Sequence, residues 1–263
     1  VLRWNGRYGS AANGEIEIIT DPAQAREALR IIRTRAFHRR LQAGDPPAVA
    51  ARLAREETTV GVAFEDPFME IFRDLCRFPR GFIGTYEHQS WKPAKGTGIC
   101  VAPITEVGLV VLSDAYHHAV RRRTLELPRG GLRSGEVTRT REDGTLESIP
   151  ARSIANEVLH ETGYEIDVAT IEHLGELDPD TGLCGDPVQC FAASATRIGP
   201  LQPDETEAIF GAVELTRAQL EEGLLHGYYE HPAGTAFAGT RVRLCGSFEH
   251  VMLQRLVLRS LIA

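Results

Sequence analysis

The stretch from Leu125 to Tyr164 tells more about the fold of this chain than any other segment. It contains a glycine-rich segment, then a charged patch, then a run with helical periodicity. Within that run Ile154 and Val158 lie four residues apart, which predicts an apolar helix face that packs on a core. Gly163 follows at the position where helices commonly end in a left-handed residue. The pattern predicts one amphipathic helix that begins at Pro150 and ends before this glycine.

The predicted helix carries two carboxylates on one face. Glu157 and Glu161 are four residues apart, so they lie one turn apart. Carboxylate oxygens are the ligands that Mg²⁺ prefers, which makes the pair a candidate metal site. The alternative is a solvated helix face, which is the more common role of glutamates at this spacing.

The residues around this pair form a motif. They are, in chain order, Glu126, Leu127, Pro128, Gly130, Glu136, Glu157, Val158, Glu161, Gly163 and Tyr164. The motif resembles the Nudix box of the Nudix hydrolase superfamily. The Glu-Leu-Pro lead-in, with Tyr116 and His118 before it, is similar to that of the ADP-ribose pyrophosphatase branch. The resemblance covers residues 81–263.

The motif departs from the family pattern at four places. Nineteen residues separate Glu136 from Asn156, where the box has seven. Asn156 stands where the family has arginine, His160 where it has the first glutamate of a pair, and His117 replaces an arginine of the lead-in. Loss of a residue that orients a metal ligand typically costs about 10- to 100-fold, so Asn156 alone predicts a slower enzyme. The box is therefore degenerate.

The additional residues before the helix predict a β-hairpin. Asp143-Gly144 lies between two alternating, β-prone runs, which is a strong signal for a tight turn. Strands on both sides of a single diagnostic helix agree with an α+β sandwich in which a mixed sheet lies between helices. The identification of this sandwich as a Nudix-type α/β/α fold rests on the motif.

The resemblance also implies a set of metal-binding residues. The ligands it implies for Mg²⁺ or Mn²⁺ are Glu157, Glu161 and Glu207, with the backbone carbonyl of Arg129, Glu136 nearby and His160 as a further candidate. Imidazole tolerates Mn²⁺ better than Mg²⁺, so His160 would shift the metal preference. A spectator role for His160 is the alternative.

An acidic loop at residues 199–207 supplies the remaining catalytic candidates. By the resemblance Glu205 is the general base and Glu207 is a metal ligand, while Glu157 and Glu161 are catalytic through the metal. The alternative for this loop is a solvent-exposed acidic turn.

Four residues are candidates for substrate binding. Trp91 and Tyr86 offer aromatic faces before the box, on which a base could stack. Arg129 and His117 are cationic or titratable groups within the motif region. For His117 the alternative is a partly exposed histidine at a strand end.

Residues 1–80 are predicted to form a mainly helical N-terminal extension, and residues 81–263 the Nudix hydrolase domain. Thr20-Asp21-Pro22 predicts the start of a helix that ends near Gln42. Further helices are predicted over residues 48–57 and from Pro67 to Cys76, with short strands over 15–19 and 60–64. The first helix carries six arginines, which form either a solvated basic face or a site for an anion or partner.

Composition narrows the functional classes. A formal charge of −7 argues against non-specific nucleic-acid binding, which requires basic surface. No apolar run reaches the length of a membrane span, so we expect no membrane partner. The odd number of cysteines, five, favours reduced thiols in a cytoplasmic protein, with a bridge between Cys184 and Cys190 as the less favoured alternative.

The predicted function is that of a metal-dependent hydrolase. The resemblance implies cleavage of the diphosphate bond in a nucleoside diphosphate derivative, of the ADP-ribose or nucleotide-sugar class, by a homodimer. Divalent cations would neutralise the phosphate charge and acidify a bound water. The alternative is a catalytically degenerate domain that binds a nucleotide ligand as a sensor or scaffold.

Overall fold

The structure is a computed structural model that describes residues 16–92, 98–132, 137–140, 146–244 and 246–262. The chain divides into two compact units. The first contains the described residues up to Lys92 together with Asp180–Gly185, and the second contains the described residues from Gly98 onward without that loop. The domain boundary predicted at residue 80 falls within the first unit, because the strand that follows it pairs with the sheet of that unit.

The first unit consists of two helices and an antiparallel sheet. Its elements are β1 (Glu17–Ile18), α1 (Pro22–Gln42), α2 (Pro47–Glu56), β2 (Gly61–Glu65), β3 (Met69–Arg77) and β4 (Ile83–Trp91). The helix α1 begins as predicted, because the Asp21 side chain accepts hydrogen bonds from the backbone N–H groups of Ala23 and Gln24. Ile19, Ala25 and Leu75 belong to the core between this helix and the sheet.

The helix predicted from Pro67 to Cys76 is wrong. These residues form β3, which pairs with β4 along its whole length on one edge and with β1 and β2 on the other. A turn capped by Asp66, which accepts from Phe68 N and Met69 N, precedes the strand. Pairing on both edges is a tertiary effect, and it outweighs the local helical preference of this segment.

The second unit is built on a large mixed sheet. The strands of this unit are β5 (Gly98–Thr105), β6 (Val110–His117), β7 (Arg122–Glu126), β8 (Arg129–Gly131), β9 (Val137–Thr140), β10 (Leu146–Ile149), β11 (Tyr164–Ile166), β12 (Glu172–Leu177), β13 (Val188–Arg197), β14 (Ile209–Leu215), β15 (Tyr228–Glu230) and β16 (Arg241–Arg243). All of them belong to the mixed sheet except β9 and β10, which form a separate two-stranded sheet. Its helices are α3 (Ala151–Thr162), α4 (Arg217–His226) and α5 (Ser247–Leu258). The sheet is mixed because β5 and β13 run parallel, whereas β5, β6 and β7 pair antiparallel in turn.

Both faces of this sheet are covered by helices. Successive residues of a strand point to opposite faces, and on β5 Val101 packs with the α3 residues Ile154 and Val158. On the opposite face Cys100 belongs to a core with Leu220 of α4 and the apolar residues of α5. The predicted α+β sandwich, with a mixed sheet between helices and helices in the N-terminal region, is confirmed.

Local predictions in the second unit are also confirmed. Gly163 ends α3 in the left-handed conformation, with φ 75°. The strands β9 and β10 pair antiparallel as the predicted hairpin, although its turn at 141–145 lies outside the described residues. No disulfide joins Cys184 to Cys190, so the alternative of a bridge between them is wrong. Within the described part of the chain, no helix is long and apolar enough to cross a membrane.

Candidate functional site

The helix α3 places Glu157 and Glu161 against the sheet rather than in water. The two side chains are buried, at 8% and 7% exposure, because Ile154 and Val158 on the same side of the helix dock it on the core of the sheet. From the spacing alone, a solvated helix face was the more common interpretation of this pair. Burial of both carboxylates excludes that interpretation.

Glu161 is held by β6 and by the segment that enters β8. One carboxylate oxygen accepts from the backbone N–H of Arg129 at 3.3 Å, and the other accepts from the Ser113 hydroxyl at 3.2 Å. Burial raises the pKa of Glu161 to about 8; the charges of Glu157 and Glu207 add to the rise, which the two hydrogen bonds oppose. A carboxyl with this pKa takes up a proton near neutral pH, so the site tolerates its uncompensated negative charge poorly.

Glu157 lies directly on the backbone of β8. A Cβ atom added to Gly130 would overlap the carboxylate group of Glu157. The first glycine of the motif is therefore required for close approach of the strand to the helix, which is one of the uses of glycine near a functional group.

Glu126 connects the two basic groups of the site. Its carboxylate, 8% exposed, pairs with the imidazole of His117 and with the guanidinium of Arg129. Burial and the charge of Arg129 lower the pKa of His117, which favours the neutral imidazole. The result is a buried carboxylate that orients two nitrogen groups toward the same cavity.

This cavity has a volume of about 350 Å³. The acidic and basic side chains that line it are His117, His118, Glu126, Arg129, Glu161 and Glu207. Among the described residues Glu157, Glu205 and His160 do not contribute to the lining. The cavity therefore combines acidic and basic groups from β6, β7, β8, α3 and the acidic loop.

The acidic loop lies between β13 and β14 and is exposed. Glu207 folds back on its own loop, where its carboxylate accepts from the backbone N–H of Asp204 at 2.9 Å. Glu205 is exposed. The backbone carbonyl of His160 accepts from Gln202 N at 2.9 Å, which attaches the start of the loop to the end of α3.

The predicted aromatic residues lie in the other unit. Tyr86 and Trp91 belong to β4, where the Tyr86 hydroxyl donates to the carbonyl of Gly182 at 2.9 Å and the Trp91 side chain is 51% exposed. Glu136 lies outside the described residues. For these three residues the proposed roles in the site stay predictions.

Two residues of the site were not predicted from the sequence. Ser113 is fully buried inside an apolar run, and nothing in its neighbourhood distinguishes it. Glu126 did have a signal, because it begins the Glu-Leu-Pro lead-in, but its role as the partner of His117 and Arg129 depends on strand pairing. Among the residues that the structure describes, no three His, Cys, Asp or Glu side chains form a group that could hold a metal ion.

Comparison of the sequence with protein-family models and with curated proteins finds no match. Comparison with solved structures finds a protein described as an ADP compounds hydrolase, with a TM-score of 0.53 and 16% sequence identity. The similarity covers 77% of this chain and 93% of that chain. At this identity the comparison shows the fold alone, and it supports a Nudix-like fold.

Proposed function

We propose that this protein is a hydrolase that uses a divalent cation to cleave the diphosphate bond of a nucleoside diphosphate derivative, of the ADP-ribose or nucleotide-sugar class. The observation that carries the proposal is the pair of buried carboxylates on α3, of which Glu161 lines a cavity together with Arg129 and His117. The similarity of fold to an ADP compounds hydrolase supports the same class of substrate.

The carboxylate pair suits a cation on chemical grounds. Glu157 and Glu161 offer oxygen ligands, and the raised pKa of Glu161 expresses the unfavourable charge that a cation would relieve. Mg²⁺ is commonly bound by one or two carboxylates together with waters and substrate phosphates, so a third protein ligand is not required. When bound, Mg²⁺ or Mn²⁺ would neutralise phosphate charge and make a coordinated water more acidic.

The basic groups of the cavity suit a diphosphate. Arg129 carries a permanent charge and can bind two oxygens of one phosphate, while Glu126 limits its freedom by pairing with it. His117 shares the same carboxylate, and its lowered pKa leaves it a neutral hydrogen-bonding group near pH 7. These two side chains would orient the diphosphate over the α3 carboxylates.

The acidic loop offers two candidates to accept the proton of the attacking water. The resemblance to the family implies Glu205. The position of Glu207 in the cavity wall, and the effect of its charge on Glu161, support Glu207 instead. Separate substitution of the two residues distinguishes these roles.

A second candidate function is binding of a nucleotide without turnover. Two observations favour it: Asn156 and His160 replace box residues of the family, and no three acidic, His or Cys side chains among the described residues form a metal-holding group. In that case the cavity would recognise the ligand while the diphosphate bond stays intact.

The test is hydrolysis of a panel of ADP-ribose, nucleotide sugars, dinucleotides and nucleoside triphosphates, with Mg²⁺ and with Mn²⁺. We expect turnover of one diphosphate class, and loss of that turnover in Glu161→Gln. Glu165→Gln, on the exposed side of β11, is the matched control and should retain activity. Absence of turnover for every compound, together with thermal stabilisation by one nucleotide, would establish the binding function instead.

A further inference from the structure

The first turn of α5 contains a buried carboxylate, Glu249, that does not line the cavity of the proposed site. Glu249 is 2% exposed, and its side chain folds back over Gly246 so closely that a Cβ atom at that position would overlap it. It is the third residue of the helix, where the positive end of the helix dipole stabilises an anion. The N-terminal end of α5 therefore stabilises the carboxylate of Glu249.

The hydrogen-bond partner of Glu249 lies 122 positions away in the chain. Its carboxylate accepts from the backbone N–H of Leu127 at 3.0 Å. This N–H lies between two strands, because β7 ends at Glu126 and β8 begins at Arg129. Since strand pairing does not extend over Leu127, α5 supplies the acceptor that the sheet does not.

A second contact joins the same turn of α5 to the same segment. The guanidinium of Arg129 lies over the ring of Phe248, 5.1 Å from its centroid. On the other side of the segment, the carbonyl of Pro128 accepts from Val101 N at 2.9 Å. Residues 127–129 are therefore held between β5 and the start of α5.

We propose that Glu249, assisted by Phe248, is a positioning residue that fixes the segment from Glu126 to Gly130. The inference rests on the proposed function, because this segment carries the site: Glu126 orients two basic groups, Arg129 N binds Glu161, and Gly130 supports Glu157. Glu249 is not among the residues that line the cavity. It therefore acts on the site through its hydrogen bond to the backbone N–H of Leu127.

The expected effect follows from the geometry. Removal of the acceptor leaves a buried N–H unpaired and releases the segment, and a displacement of about 1 Å at a catalytic group can cost about 100-fold in rate. We expect Glu249→Ala to lower kcat by about 10- to 100-fold, the usual effect of removing a supporting hydrogen bond, with a smaller change in KM. Glu249→Gln should retain most activity, because its amide oxygen accepts the same hydrogen bond.

The control variant is Arg259→Ala at the C-terminal end of α5. It removes an ion pair with Glu172 and destabilises the same helix without a contact to residues 126–130. If Arg259→Ala lowers kcat as much as Glu249→Ala does, or if Glu249→Gln is as impaired as Glu249→Ala, the positioning role is refuted. Phe248→Leu, which keeps an apolar side chain but removes the ring beneath Arg129, gives a second route if Glu249→Ala does not fold. It should lower kcat by a smaller factor, and an unchanged kcat would count against the role.

Amide hydrogen exchange of residues 125–131 gives a readout that does not depend on activity. We expect faster exchange in Glu249→Ala than in the wild type, with near wild-type exchange in Glu249→Gln and in Arg259→Ala. Should the wild type hydrolyse no compound of the panel, faster exchange in Glu249→Ala alone would still support the positioning role while the proposed function fails. Unchanged exchange in Glu249→Ala would overturn the positioning role whether or not the enzyme is active.

Discussion

Glutamates occur in this protein in two contrasting settings. On α3, Glu157 and Glu161 are buried, attached to a rigid helix and in contact with the backbone of β8 or with hydrogen-bond donors from β6 and β8. On the loop between β13 and β14, Glu205 and Glu207 are exposed, and Glu207 is held by its own loop. By residue type the two pairs are identical, although only the first belongs to the motif.

The difference shows what the fold adds to residue type. A carboxylate that is desolvated beside another carboxylate has a raised pKa, and relief of that cost can be used for cation binding. A carboxylate on an exposed loop has no desolvation cost that a cation could relieve. It contacts a ligand only when the loop conformation brings it close. We therefore expect the α3 pair to dominate metal binding and catalysis, and the loop pair to modulate them.

The largest expected effect is that of Glu161→Gln. If this carboxylate holds a cation that stabilises charge in the transition state, its loss removes several kcal/mol, which corresponds to a fall in kcat of about a thousandfold. Steady-state kinetics with saturating Mg²⁺ or Mn²⁺ measures it. If Glu161→Gln lowers kcat no more than Glu207→Gln does, buried and exposed carboxylates do not differ in their contribution to catalysis.

The second prediction concerns the pH dependence of stability in the metal-free protein. The pKa of Glu161 is about 8 in the folded state and near 4.5 when solvated, so the folded state binds more protons between these values. The free energy of unfolding should therefore fall as the pH rises from 4.5 to 8, by an amount on the order of 4 kcal/mol from this group.

Chemical denaturation in EDTA at pH 5, 6.5 and 8 measures this slope. The difference between wild type and Glu161→Gln isolates the contribution of Glu161, and the variant should be the more stable protein at pH 8. Addition of Mg²⁺ or Mn²⁺ should stabilise the wild type at pH 8 and stabilise the variant much less. If the free energy of unfolding changes with pH in the same way for both proteins, Glu161 does not have a raised pKa in the folded state.

The third prediction tests the contact between β8 and α3. Gly130→Ala introduces a Cβ atom where the carboxylate of Glu157 lies, so either the carboxylate or the strand must move. A shift of about 1 Å at this site should lower kcat about 100-fold. Ala substitution at half-buried Gly211 of β14, where an added Cβ meets no atom within 4 Å, is the matched control and should leave kcat near that of the wild type.

The smallest effects are expected from the loop. Glu207→Gln should lower kcat by about tenfold, because its charge is felt at Glu161 and its side chain lines the cavity. Glu205→Gln should have a smaller effect, because Glu205 is exposed and does not line the described cavity. A larger effect of Glu205→Gln would identify Glu205 as the base that the family resemblance implies.

Much of the fold followed from local patterns. The start of α1 at Asp21, the end of α3 at Gly163 and the β9–β10 hairpin are each encoded within a few neighbouring residues, so a single sequence suffices to predict them. The strand β3 was predicted as a helix because its stability comes from partners on both edges, which lie far from it in the sequence.

The sequence by itself determined the helix that carries Glu157 and Glu161 and their position on one face. Only the tertiary structure decided that these carboxylates are buried, that Glu126 joins His117 to Arg129, and that Glu249 holds Leu127 from the far end of the chain. The physical reason is the range of the interactions. Helix faces and caps depend on neighbours within one turn, whereas desolvation and pairing across the sheet depend on residues that only folding brings together.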